Sequence, residues 1–61
     1  MTKRDYEAAM IAEGVIEAES GEQLIEAWQH LINTGLAWSL HGWFGRIAEQ
    51  LIEDGLCKEA I

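Results

Sequence analysis

The sequence predicts an all-α fold, a small bundle of three helices with a short extra helical turn, and three observations carry that expectation. Apolar residues recur at the i, i+3, i+4 spacing that lines one side of a helix. No proline interrupts the 61 residues. Three similar phrases each close on a glycine: Met10-Ile11-Ala12-Glu13-Gly14-Val15, Leu31-Ile32-Asn33-Thr34-Gly35-Leu36 and Leu51-Ile52-Glu53-Asp54-Gly55-Leu56. Glycine takes the left-handed conformation that ends a helix without a Cβ penalty, and the next apolar residue can fold back onto the last turn. The expected pairs are Met10/Val15, Leu31/Leu36 and Leu51/Leu56.

The first helix is expected over about 5–13, with Tyr6, Ala9, Met10 and Ala12 as its apolar side. It is short and weakly apolar. Val15, Ile16 and Ala18 form a connector that Ser20-Gly21 breaks. Ser20 followed three residues later by Gln23 is a capping box, opening a second helix over about 21–33. Leu24, Trp28 and Leu31 fall at i, i+4, i+7, Ile25 and Ile32 broaden the stripe, and Glu22, Glu26, Gln29, His30 and Asn33 form the outer face.

Leu36, Ala37 and Leu40 support a helical turn over about 36–40, and Gly42 is where the direction should change. The last helix, about 43–54, has the clearest pattern: Phe44, Ile47, Ala48, Leu51 and Ile52 inward, Glu49, Gln50, Glu53 and Asp54 outward. Two amphipathic helices cannot cover each other's full stripes, so the first helix and the Trp38 turn should close the sides of the bundle. The tail from Lys58 to Ile61 is expected to fray. The whole, 1–61, reads as a single small helical domain.

At this length a folded chain buries only about 60% of its unfolded surface, so stability should be thin. Small chains commonly add a disulfide, a metal or a partner subunit. Cys57 is the one cysteine, so an internal disulfide is excluded and self-association or a partner becomes the expectation. One unpaired cysteine fits a reducing compartment. The longest apolar run is Ala8 to Ala12, far short of the roughly 20 residues a bilayer requires, and Asp5, Glu7 and Glu13 interrupt any secretory-signal pattern. The default expectation is cytoplasmic, with no membrane partner.

Eleven acidic against four basic residues give a formal charge of −7, which repels nucleic-acid phosphates and argues against direct nucleic-acid binding. The charge is uneven. Seven carboxylates from Asp5 to Glu26 have no Lys or Arg among them, whereas 27–48 contains no carboxylate. One half is an acidic skin; the other is aromatic and nearly neutral.

The neutral segment organises the chain. Leu31 to Arg46 holds two of three tryptophans, the one phenylalanine and three of six glycines. Indoles supply the large buried areas that dominate cores and interfaces. Trp28 lies on the core stripe, whereas Trp38 and Trp43 flank the turn beside Ser39, His41 and Gly42. Arg46 sits in the first turn of the last helix, where the helix dipole disfavours a cation. It should therefore have a partner, either inside the chain (Glu22, Glu26, or the face of Trp38 or Trp43) or on another molecule. Gly42 suits a turn, and Gly45 a close approach to another backbone.

His30, His41 and Cys57 are the only imidazole or thiol side chains, too few for a closed zinc site, so no metal is expected. No nucleophile-and-base spacing and no cofactor motif is present. The expectation is a protein that is not an enzyme and takes no cofactor.

One resemblance bears on origin. Glu26 through Arg46, with Trp28-Gln29, Leu31-Ile32-x-x-Gly35, Trp38-x-Leu40-x-Gly42 and Phe44-Gly45-Arg46, continued by Leu51-Ile52-x-x-Gly55-x-Cys57, resembles a family of short uncharacterised proteins of tailed bacteriophages and prophages. This chain has His41 where that family usually carries Gln, and Phe44 where Tyr is common. The resemblance implies an accessory role during infection and supplies no mechanism.

Together these readings lead to a protein that binds a bacterial host protein, with Trp38, His41, Trp43 and Arg46 as the contact residues. Two alternatives stand beside it. The same patch could be buried in a homo-oligomer such as a homodimer, with a structural role. Or the acidic half, through Glu13, Glu17, Glu19, Glu22 and Glu26, could imitate nucleic-acid charge as a decoy.

Overall fold

In a computed structural model that describes residues 2–40 and 42–60, the chain forms α1 (Lys3–Glu13), α2 (Gly21–Thr34), the single turn α3 (Leu36–Ser39) and α4 (Gly42–Glu53). No strand occurs among the described residues. The bundle is all-α, and each element lies within a residue or two of the stretch that periodicity assigns to it.

All three phrase-ending glycines take positive φ, +82° at Gly14, +81° at Gly35 and +79° at Gly55. At Gly14 and Gly55 the stop is a complete Schellman motif. The Gly14 N–H donates to the Ile11 carbonyl and the Val15 N–H to that of Met10; the Gly55 and Leu56 N–H groups do the same for Ile52 and Leu51. The expected side-chain cover does not follow the backbone, since Val15 and Leu56 are both more than half exposed. Gly35 behaves differently. Its N–H caps the Ile32 carbonyl, but the chain enters α3 at once, the Trp38 N–H reaching the Gly35 carbonyl. It is a corner joining two helices.

The helix starts are fixed by side-chain oxygens. The Gln23 N–H donates to Ser20 Oγ at 3.0 Å, as the capping box requires, but Gln23 Oε1 accepts from Glu19 rather than from Ser20. A second capping box opens α1: the Asp5 N–H donates to Thr2 Oγ1 and the Thr2 N–H donates to Asp5 Oδ2. Thr2-x-x-Asp5 carries that signal in the sequence.

Helix α2 is the centre, and its burial follows the stripe: Ala27, Trp28, Leu31 and Ile32 are buried. Helix α1 lies closely along it. The expected apolar side of α1 holds at Ala9 and Ala12, which pack partly buried against the core, and is corrected at Tyr6. Ala8 is the buried residue and Tyr6 is 56% exposed, because residues two apart stand about 200° apart around a helix and cannot share a face. The facing residues are small, Ala8 on α1 and Ala27 on α2, which lets the backbones approach. Helix α4 instead meets α2 mainly through large rings, described below.

Two residues assigned to the outer face of α2 turn out to tie the bundle together. His30 is half-buried and its Nε2 lies 2.6 Å from Asp5 Oδ1. One Asp5 oxygen therefore caps α1 while the other joins α1 to α2. The Thr2 N–H bond first, and the His30 bond next, hold the Asp5 carboxyl below its ordinary value of 3.8. An ionised carboxylate only accepts, so His30 Nε2 carries the shared hydrogen.

Gln29 clasps the tail. Its Nε2 donates to the Lys58 carbonyl at 2.8 Å and its Oε1 accepts from the Lys58 N–H at 2.7 Å. The expected fraying therefore does not begin at Lys58; the end of that expectation, Ile61, lies outside the described residues. The clasp follows directly on Cys57, which is buried with its Sγ 3.9 Å from the Ile25 carbonyl. Burial pushes its thiol pKa up.

Candidate functional site

The site begins at the junction of α2 and α4. Trp28 from α2 meets Phe44 from α4 with ring centroids 5.7 Å apart, and Trp43 stacks on Phe44 at 4.3 Å and 23° while meeting Trp28 edge-on at 6.1 Å. Trp28 and Phe44 are core. Trp43 completes the cluster yet stays 44% exposed. Two neighbours hold one side of its ring, so its outward face is presented in a fixed orientation.

Ile47 lies one turn after Trp43 and is 41% exposed, although the apolar period assigns it to the core. The buried positions of α4 are Phe44 and Ala48, and Ile47 falls at the edge of that arc on the side of Trp43. Arg46, three residues after Trp43, is a neighbour on the same surface. It is exposed, and among the described residues no carboxylate lies within ion-pair distance of it. An internal partner such as Glu26 is not in place, because Glu26 lines a shallow polar cleft with Arg4 and His30 on the α1 side of α2.

Trp38 is 50% exposed but lies elsewhere. Its ring covers Gly45, where an added Cβ would stand 3.4 Å from the indole and 3.7 Å from the Ala37 carbonyl oxygen. The close approach that Gly45 permits is thus mainly to a ring. Gly45 and Trp43 are two residues apart and so point to opposite flanks of α4. Of the four candidate contact residues, the structure brings Trp43 and Arg46 together and places Trp38 on the other flank; His41 lies outside the described residues. On the Trp38 flank an open groove runs between the ring, Glu49, Ile52, Glu53, Glu59 and Ala60.

Among the described residues, no three His, Cys, Asp or Glu side chains are placed to hold a metal ion together, and no helix is long and apolar enough to cross a membrane. Side-chain nitrogens and oxygens buried without a hydrogen-bond partner are likewise absent among them. What the site offers is a braced indole with an isoleucine and a guanidinium on one flank, and an acid-rimmed groove on the other. Sequence reasoning missed Ile47, since its position fits the apolar period and only the rotation of α4 about the Trp28–Phe44 contact exposes it.

No curated protein and no solved structure matches the chain. A family model described as a domain of unknown function (DUF7417) matches residues 5–61. That match takes in the aromatic cluster, all three glycine stops and the clasped tail, and the chain belongs to the DUF7417 family.

Proposed function

We propose that the protein acts by binding another protein through the Trp43, Arg46 and Ile47 surface of α4, as a phage- or prophage-encoded accessory protein engaging a bacterial host protein. The observation that carries the proposal is Trp43: a ring stacked on buried Phe44 and still 44% exposed. Tryptophan and arginine are the side chains most enriched at interface hot spots, and a braced ring loses little rotamer freedom on binding. Arg46, with no carboxylate beside it among the described residues, supplies a cation for a carboxylate of the partner. The phage setting rests on the resemblance of the Trp28-to-Cys57 pattern.

Affinity capture from a bacterial lysate tests the proposal when the same species is followed across variants. Trp43→Ala and Arg46→Ala are each expected to release that species, while Glu17→Gln combined with Glu19→Gln retains it. Retention by Trp43→Ala and Arg46→Ala would overturn the proposal. Loss with the two Glu changes alone would favour the acidic decoy. A concentration-independent dimer in light scattering that Trp43→Ala converts to monomer would place a second copy on this surface instead.

A further inference from the structure

The groove on the Trp38 flank is a different surface with a different chemistry. One wall is the half-exposed Trp38 ring, which packs over Gly45 at a distance where an added Cβ would stand 3.4 Å from the indole. Its apolar lining is Ile52 and Ala60 with the ring, and three carboxylates also line it, Glu49 and Glu53 from successive turns of α4 and Glu59 from the tail. Among the described residues, no basic side chain lines it. The far wall is held in place as well, since Glu59 and Ala60 follow directly on Lys58, which Gln29 clasps through both backbone groups.

We propose that this groove receives a lysine or arginine side chain from an exposed basic segment of a partner protein. A long cationic side chain has the two parts the groove is shaped for. Its alkyl stem can lie along Ile52 and the indole, and its charged head can reach both the ring face and the carboxylates. An acidic side chain or a phosphate would meet three like charges, and an uncharged side chain would leave the carboxylate rim without a counter-charge. The formal charge of −7 also favours encounter with a basic segment. The groove is independent of the Trp43 surface, so either proposal can fail alone.

The test is fluorescence anisotropy with a short labelled Lys/Arg-Gly peptide and a charge-free counterpart in which the basic residues are replaced by acetyl-lysine and citrulline. The basic peptide should bind and the charge-free one should bind at least about tenfold more weakly. Glu49→Gln with Glu53→Gln, both exposed positions, should weaken binding about tenfold, and Trp38→Ala should do the same with the fold checked by circular dichroism. Glu17→Gln with Glu19→Gln removes the same charge elsewhere and should leave affinity within about twofold. Equal weakening by the two Glu pairs would show diffuse attraction and overturn the proposal. Absence of basic-peptide binding up to about 1 mM would overturn it as well. So would self-association that Trp38→Ala abolishes while no peptide binds.

Discussion

A single residue type marks the joints of this molecule. Gly14, Gly35 and Gly55 take φ near +80°, and around each there is open space, so the obstacle to a side chain is backbone strain alone. Gly35→Ala is expected to cost about 1–2 kcal/mol, read as a lower urea midpoint with unchanged slope. Gly21, which opens α2 with ordinary φ and nothing near its missing Cβ, should respond oppositely. Gly21→Ala should gain about 0.4–1 kcal/mol by restricting the unfolded chain. The stops were legible in the sequence because the left-handed conformation all but demands glycine. Tyr6 was not, because α1 is built largely of alanine and charge, and the side it buries is chosen by what α2 presents.

Between elements, two polar contacts add to the apolar packing, and neither has a periodic signature. Asp5 bridges the cap of α1 to His30 of α2. Its carboxyl is depressed in the folded state, so its contribution is fully present above the ordinary value of 3.8 and is lost as pH falls through the lower folded value. Wild type should therefore exceed Asp5→Asn in stability at neutral pH, with the gap closing only below about pH 3.8, as followed by urea titrations across that range. Gln29 does for the tail what Asp5 does for α1. Gln29→Ala frees both Lys58 backbone groups and should cost about 1 kcal/mol. Its clearer readout is Cys57. The buried, pKa-raised thiol should react slowly with an alkylating reagent in wild type and faster when the clasp is gone. Equal rates would show that the clasp does not cover the thiol. Helix spans were readable because an amphipathic stripe is local. Asp5–His30 and Gln29–Lys58 join residues 25 and 29 apart, and nothing local pairs them.

For the molecule as a whole the margins are narrow. At roughly 0.05–0.15 kcal/mol per residue, 61 residues imply a total of only about 3–9 kcal/mol. Phe44, 1% exposed between two indoles, should cost about 3–5 kcal/mol on truncation to Ala and leave a largely unfolded chain by circular dichroism. Trp43→Ala removes the outer member of the same stack and should forfeit about 0.5–1.5 kcal/mol of ring pairing beyond the area it exposes, so it should remain folded. The pairing of elements has a kinetic corollary. Contacts run mainly from each helix to the next in the chain, α1 to α2, α2 to α3 and α3 to α4, and no proline is present to isomerise. Such a low contact order places refolding on the microsecond-to-millisecond scale in a single exponential. The clasp is one of the longest-range exceptions, a loop from Gln29 to Lys58 that can close only after α3 and α4 have turned the chain back. Its formation therefore belongs after the rate-limiting barrier, and Gln29→Ala should speed unfolding while leaving the folding rate unchanged. The last turn of the bundle then acts as a latch on its lifetime, setting how long each molecule stays folded rather than how quickly it gets there.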